Sequence, residues 1–153
     1  MAQLHITGSS LTASSHLAEA LQLVESRLGA WASSSNTDAY NALLLEVFGV
    51  QSLEATGALQ EALRGSGLGI SLEILDGASL SGIHGAYTSA APEGGERIYL
   101  NGAWLQNAKA AEIEAVLLEE LGHAIDHNLN GAADSPGDEG EIFSARLRGL
   151  TPN

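Results

Sequence analysis

The chain has 153 residues, 44% hydrophobic and 16% charged, and no cysteine, so it is one domain's worth of sequence that can bury its own core, with no disulfide framework and no thiolate nucleophile. Its formal net charge is -13, with Lys109 the only lysine. That field repels phosphate backbones and anionic membrane surfaces and favours cations, so neither nucleic-acid nor membrane partners are expected.

Met1–Ser10 has no basic start and no apolar run of signal-peptide length. Together with Leu150–Asn153 it reads as a loose end, a point where the chain was cut from something longer. Residues 12–31 form the first expected helix: Ser14 or Ser15 can cap it, and Leu17, Leu21, Val24 and Leu28 recur at helical spacing. Trp31 closes it, ahead of a loop at Ser33–Asn36. A second helix is expected from about Asp38 to Phe48 and a third from about Leu53 to Arg64, where Gly65-Ser66-Gly67 breaks the pattern.

The period then changes. Ile70, Leu72 and Ile74 alternate with polar residues, a strand signal. His84–Ser89 is a weaker strand, Pro92-Glu93-Gly94-Gly95 a turn, and Arg97–Leu100 a short strand stopped by Asn101-Gly102. A long helix follows from about Ala108 to Leu129 and ends at Asn130-Gly131. Asp134–Asp138 is a loop, and Glu139–Arg148 a final short helix. Helices, then a small sheet, then helices give an α+β fold in a single domain over 1–153, with helices packed on a sheet of three or more strands.

The long helix carries the chemistry. Successive residues turn by about 100°, so Glu119, Glu120, His123, Asp126 and His127 share roughly a third of its circumference, opposite Leu118, Leu121 and Ile125. A solvated acidic face would account for the glutamates; it accounts less well for the order Glu-Glu-x-x-His-x-x-Asp. Glu119 and His123, four apart, can grip one ion, and Glu120 then stands beside it as a general base. Metal hydrolases divide labour this way. An inverted frame uses His123, Asp126 and His127, with Asp126 as base. His84, His5 and His16 read as rim or surface residues, and Trp31 and Trp104 as core. The run Asp134–Glu141 offers carboxylates to calcium without the alternating acidic spacing of a calcium loop.

The segment Glu120-Leu121-Gly122-His123-Ala124-Ile125-Asp126 resembles the zinc helix of the gluzincin metallopeptidases, above all the anthrax lethal factor branch. Asp138–Ala145 is similar to the helix that supplies that branch's third ligand. The resemblance implies a zincin-like fold, Glu120 as general base, His123 and Glu141 as ligands, and a peptide or protein substrate bound as an added strand along Arg97–Asn101 or His84–Ser89. Glu119 replaces the first ligand histidine, which makes the set harder and opens it to manganese or iron beside zinc. No tyrosine lies between His127 and Glu141 to steady a transition state, leaving Tyr87 and Tyr99 as the nearest in sequence. The chain is also similar to an uncharacterised domain of large bacterial secreted calcium-repeat proteins, through Ile98–Asn101, Trp104-Leu105 and the Leu-Glu-Glu-x-Gly-His-x-x-Asp helix. That likeness implies an exported protein; cytoplasmic residence is the alternative. The expected activity is a metal-dependent peptidase, and its rivals are a pseudo-peptidase that binds peptides and a calcium- or partner-binding module.

Overall fold

Apolar spacing decides the helices. In the computed structural model, which describes residues 4–6, 15–33, 37–49, 53–64, 70–75, 83–88, 96–130 and 139–149, helix α1 spans Ser15–Trp31. It buries Leu17, Ala20, Val24, Leu28 and Trp31, a stripe at three- and four-residue steps. Helix α2 (Thr37–Phe48) buries Tyr40, Leu43, Leu44, Val47 and Phe48, and α3 (Leu53–Arg64) buries Leu59 and Leu63. The loop, turn and glycine-break residues at 34–36, 65–67, 92–95 and 134–138 lie outside the described residues, as do Ser14 and the His5 side chain.

Strands β1 (Leu4–Ile6), β2 (Ile70–Leu75), β3 (Gly85–Thr88) and β4 (Arg97–Asn101) form one sheet in the order β1-β2-β4-β3. The β1–β2 and β2–β4 pairs are parallel; β3 runs antiparallel to β4. Leu4–Ile6 is therefore not a loose end: it pairs with Ile70–Leu72. Three residues are too short a run to show a strand period, and their partner strand is far along the chain. Because β4 is hydrogen-bonded on both sides, Arg97–Asn101 has no free edge for another strand, whereas β3 lies at the edge of the sheet. Ile70, Leu72, Ile98 and Leu100, alternating along the two central strands, are fully buried.

After β4 comes a single turn of helix, α4 (Gly102–Leu105), then α5 (Ala110–Asn130) and α6 (Glu139–Leu147). Helices and a mixed sheet around one apolar core make this an α+β fold. Trp31 joins the helices, its ring centroid 4.7 Å from Tyr40 and 5.2 Å from Phe143. The Tyr40 hydroxyl donates to the Thr56 carbonyl at 2.6 Å, satisfying the one polar atom of a ring that is otherwise sealed; burial pushes its pKa up. Among the described residues no helix is long and apolar enough to cross a membrane.

Two close approaches set α5 in place. A Cβ on Gly85 would meet Val116 Cγ1 at 2.8 Å, so β3 lies tight against α5. A Cβ on Gly122 would meet Gly140 Cα at 2.7 Å, and one on Gly140 would meet the Glu119 carbonyl at 2.5 Å. Only paired glycines let α6 and α5 come this close. Ser144 reinforces the contact, its hydroxyl donating to the Ala115 carbonyl at 2.8 Å.

Candidate metal centre

The polar face of α5 does not point to open water. Glu120 is 7% exposed and Asp126 is 3% exposed, while Glu119 and His123 are half-buried. One candidate ligand atom from each of Glu119, Glu120 and His123 lies within 4.8 Å of the others. The helix dictates this: positions i and i+4 stack on one face, and i+1 is the next residue round. Asp126 and His127 lie outside the group, so the inverted frame is not assembled. The His127 ring instead faces Tyr87, with centroids 6.5 Å apart.

Glu120 holds its proton unusually firmly. Burial raises its pKa from 4.5 to about 7, and the neighbouring Glu119 carboxylate adds to the rise. Two carboxyls side by side in a half-dry site repel one another, and a bound cation would relieve both the repulsion and the desolvation. Gly140 packs tightly on this face: a Cβ there would come within 2.9 Å of His123 Nε2, so only a glycine lets the imidazole lie against α6. Two carboxylates and an imidazole fit a divalent ion. The donors suit zinc, manganese or iron alike.

Glu141 is not part of the group. It sits on α6 one residue after Gly140, and its side chain is exposed. The helix resembling the third-ligand helix does pack on α5, and it brings the Gly140 backbone against Glu119 and His123. Asp134–Asp138, the remainder of the possible calcium run, lies outside the described residues.

Glu119 and Glu120 form one wall of a cleft of about 240 Å³. Val116 lies on the same side, and the opposite wall is Ile83, His84 and Gly85, where the chain enters β3. Asn101, 4% exposed, builds that wall. Its backbone N–H donates to the His84 carbonyl at 2.9 Å, its side-chain Nδ2 donates to the Ile83 carbonyl at 2.9 Å, and its Oδ1 accepts from Trp104 N at 3.1 Å. The last bond caps α4 and places Trp104 so that its ring stacks on His84, 4.5 Å apart and 8° from parallel. His84 is thus an exposed rim residue and Trp104 a half-buried one packed on the core. Nothing in the sequence set Asn101 apart beyond stopping a strand. His16, by contrast, is an exposed surface residue beside Glu19.

Tyr87 is already engaged: its hydroxyl donates to Glu96 Oε1, an oxygen that also accepts from Asn128 Nδ2 at 2.9 Å. No tyrosine is among the described residues lining the cleft. No protein-family model, curated protein or solved structure matches this chain.

Proposed function

We propose that the chain is a metal-dependent hydrolase of peptide bonds, with zinc as the first candidate metal. The observation that carries this reading is the convergence of Glu119, Glu120 and His123 within 4.8 Å, with Glu119 and Glu120 also in the wall of a cleft bounded by an edge strand. The likeness of the α5 sequence to a gluzincin helix supports the peptide substrate. Glu119 and His123 would hold the ion. When bound, it supplies Lewis acidity to the scissile carbonyl and to water.

The chain's own residues do the rest. Glu120, partly sealed from solvent, takes a proton from the attacking water and delivers it to the leaving amine. Its raised pKa suits it to both halves of that transfer near neutral pH. As the last strand of the sheet among the described residues, β3 is where an extended peptide would add as a further strand and lay the scissile bond along the cleft. Gly85 lets that edge lie close against α5.

One observation favours the rival reading of a peptide-binding relic: no tyrosine hydroxyl stands among the described residues of the cleft to donate to an oxyanion. Zinc titration and a broad peptide-library cleavage assay on wild type, Glu120→Gln and Glu119→His separate the two. In a peptidase, Glu120→Gln costs at least about a hundredfold in rate with metal content intact. Glu119→His tightens zinc binding and raises activity. If wild type cleaves nothing, and Glu119→His takes up zinc yet cleaves nothing, the chain is a binding domain.

A further inference from the structure

We propose that His84 is the metal ligand supplied from outside α5, closing with Glu119 and His123 a donor set of two histidines and one carboxylate. The inference rests on the reading of Glu119, Glu120 and His123 as a metal centre. Donors carried by one face of one helix approach an ion from one side only. A catalytic zinc site takes three protein ligands and keeps one position open. If Glu120 is to keep its carboxylate for proton transfer, the third ligand must come from another element. Among the described residues of the cleft, His84 is the one metal-binding side chain that is not on α5. Glu141, which the sequence pattern offered, is exposed and outside the group.

The position of His84 is built rather than incidental. The buried Asn101 bonds the carbonyls of both Ile83 and His84, fixing the chain where it enters β3. The same side chain caps the turn of helix that brings Trp104 flat against the imidazole. Stacking uses a face of the ring. The two nitrogens bond in the ring plane, so coordination and stacking are compatible. A ring braced this way loses little freedom on binding an ion, as outer partners do for metal-bound histidines generally. His84 is not part of the 4.8 Å group, and β3 already packs on α5 at Gly85, so reaching the ion takes a shift of side chains across the cleft and not of the strand. The resulting set also answers the oddity of Glu119: the histidine missing from the helix is replaced by one from the sheet edge.

The test is zinc affinity by chelator competition, with the number of coordinating imidazoles counted by X-ray absorption. It uses the full chain and the variants His84→Phe, which keeps a ring against Trp104, and Glu141→Gln. Wild type is expected to show two imidazoles per zinc. His84→Phe should show one, with affinity at least about tenfold weaker and an unchanged circular dichroism spectrum. Glu141→Gln should match wild type. The proposal is overturned if His84→Phe keeps the wild-type affinity and imidazole count, or if Glu141→Gln suffers the loss instead. Wild type binding zinc through one imidazole would leave the metal centre standing and remove His84 from it. Wild type binding no zinc removes both.

Discussion

Helix α5 buries two glutamates in two different ways. Glu114, 3% exposed, receives a hydrogen bond from Arg27 Nε of α1, and Arg27 Nη1 goes on to the Leu147 carbonyl at 3.2 Å. Its charge is matched, and the pair ties α1, α5 and α6 together. Glu120, 7% exposed, has Glu119 beside it, and the described lining of its cleft holds no lysine or arginine. A carboxylate buried for structure comes with its cation in the chain. One buried beside a second carboxylate is stable only if it is protonated or if a cation arrives from outside.

That contrast is sharpest when each partner is removed. Arg27→Met should strand the Glu114 charge and cost about 3 kcal/mol of stability. The partial exposure of Arg27, 37%, keeps the cost toward the low end for a broken buried pair. Urea unfolding of the two proteins measures it. A loss within error of zero would mean that water reaches Glu114 and that the two burial modes are not distinct.

Removing the charge at Glu120 should act in the opposite direction. Its folded-state pKa of about 7 against 4.5 means that the folded chain keeps a proton the unfolded chain has released. The contribution of Glu120 to the stability of the metal-free protein is therefore full below about 4.5, falls as pH rises through that interval, and levels off above about 7. The fall attributable to Glu120 is at most about 3 kcal/mol. Glu120→Gln should flatten this slope and be more stable than wild type at pH 8. Unfolding free energies at pH 4, 6 and 8 without metal decide it, and equal slopes in the two proteins would place Glu120 in ordinary solvent. Saturating zinc should offset the wild-type loss at pH 8.

Close packing against the site should give a smaller effect. Gly140→Ala would force a methyl to 2.5 Å from the Glu119 carbonyl and 2.9 Å from His123 Nε2. Overpacking of this kind costs about 2 kcal/mol, and here it should weaken zinc binding as well. Gly57 on α3 is the control, since a Cβ there meets nothing within 4 Å. Gly57→Ala should stabilise by roughly 0.5 kcal/mol through helix propensity and leave zinc affinity alone. Zinc affinity unchanged in Gly140→Ala would separate the glycine contact from the metal centre.

Local periodicity made most of the fold legible. Helices expected at 12–31, 38–48, 53–64, 108–129 and 139–148 lie at Ser15–Trp31, Thr37–Phe48, Leu53–Arg64, Ala110–Asn130 and Glu139–Leu147, since each carries its own apolar stripe. Leu4–Ile6 and the turn of helix at Gly102–Leu105 escaped, one because it depends on pairing with Ile70–Leu72 and the other because a single capped turn has no period to read. The site divides the same way. Glu119, Glu120 and His123 converge because helix geometry alone brings them together. Placing Glu141 needed the crossing of α5 and α6, which Gly122 and Gly140 determine, and a glycine pair does not announce its partner. His84 meets the cleft only through Asn101 and the sheet order. Arg27 and Glu114 likewise find each other through the packing of α1 on α5.

The smallest effect separates the two causes of the Glu120 shift. Burial is the larger and the Glu119 charge the smaller. Glu119→Gln keeps the size of the neighbour and removes its charge, so the repulsion goes while the desolvation stays. The Glu120 titration should then move down from about 7 without reaching 4.5. Carboxyl titration by NMR in the metal-free protein follows it directly. A return to an ordinary glutamate value would make Glu120 one half of a coupled acidic pair, in which the site is organised by mutual repulsion. Persistence near 7 would assign the shift to the dry wall of the cleft, a property that survives changes at position 119. Zinc affinity of the same variant completes the comparison. If Glu119 is a ligand, affinity falls although the surviving carboxylate has become easier to ionise. If Glu119 acts only by raising the Glu120 pKa, the same change should leave affinity equal or stronger. The two readings therefore differ in the sign of one measurement.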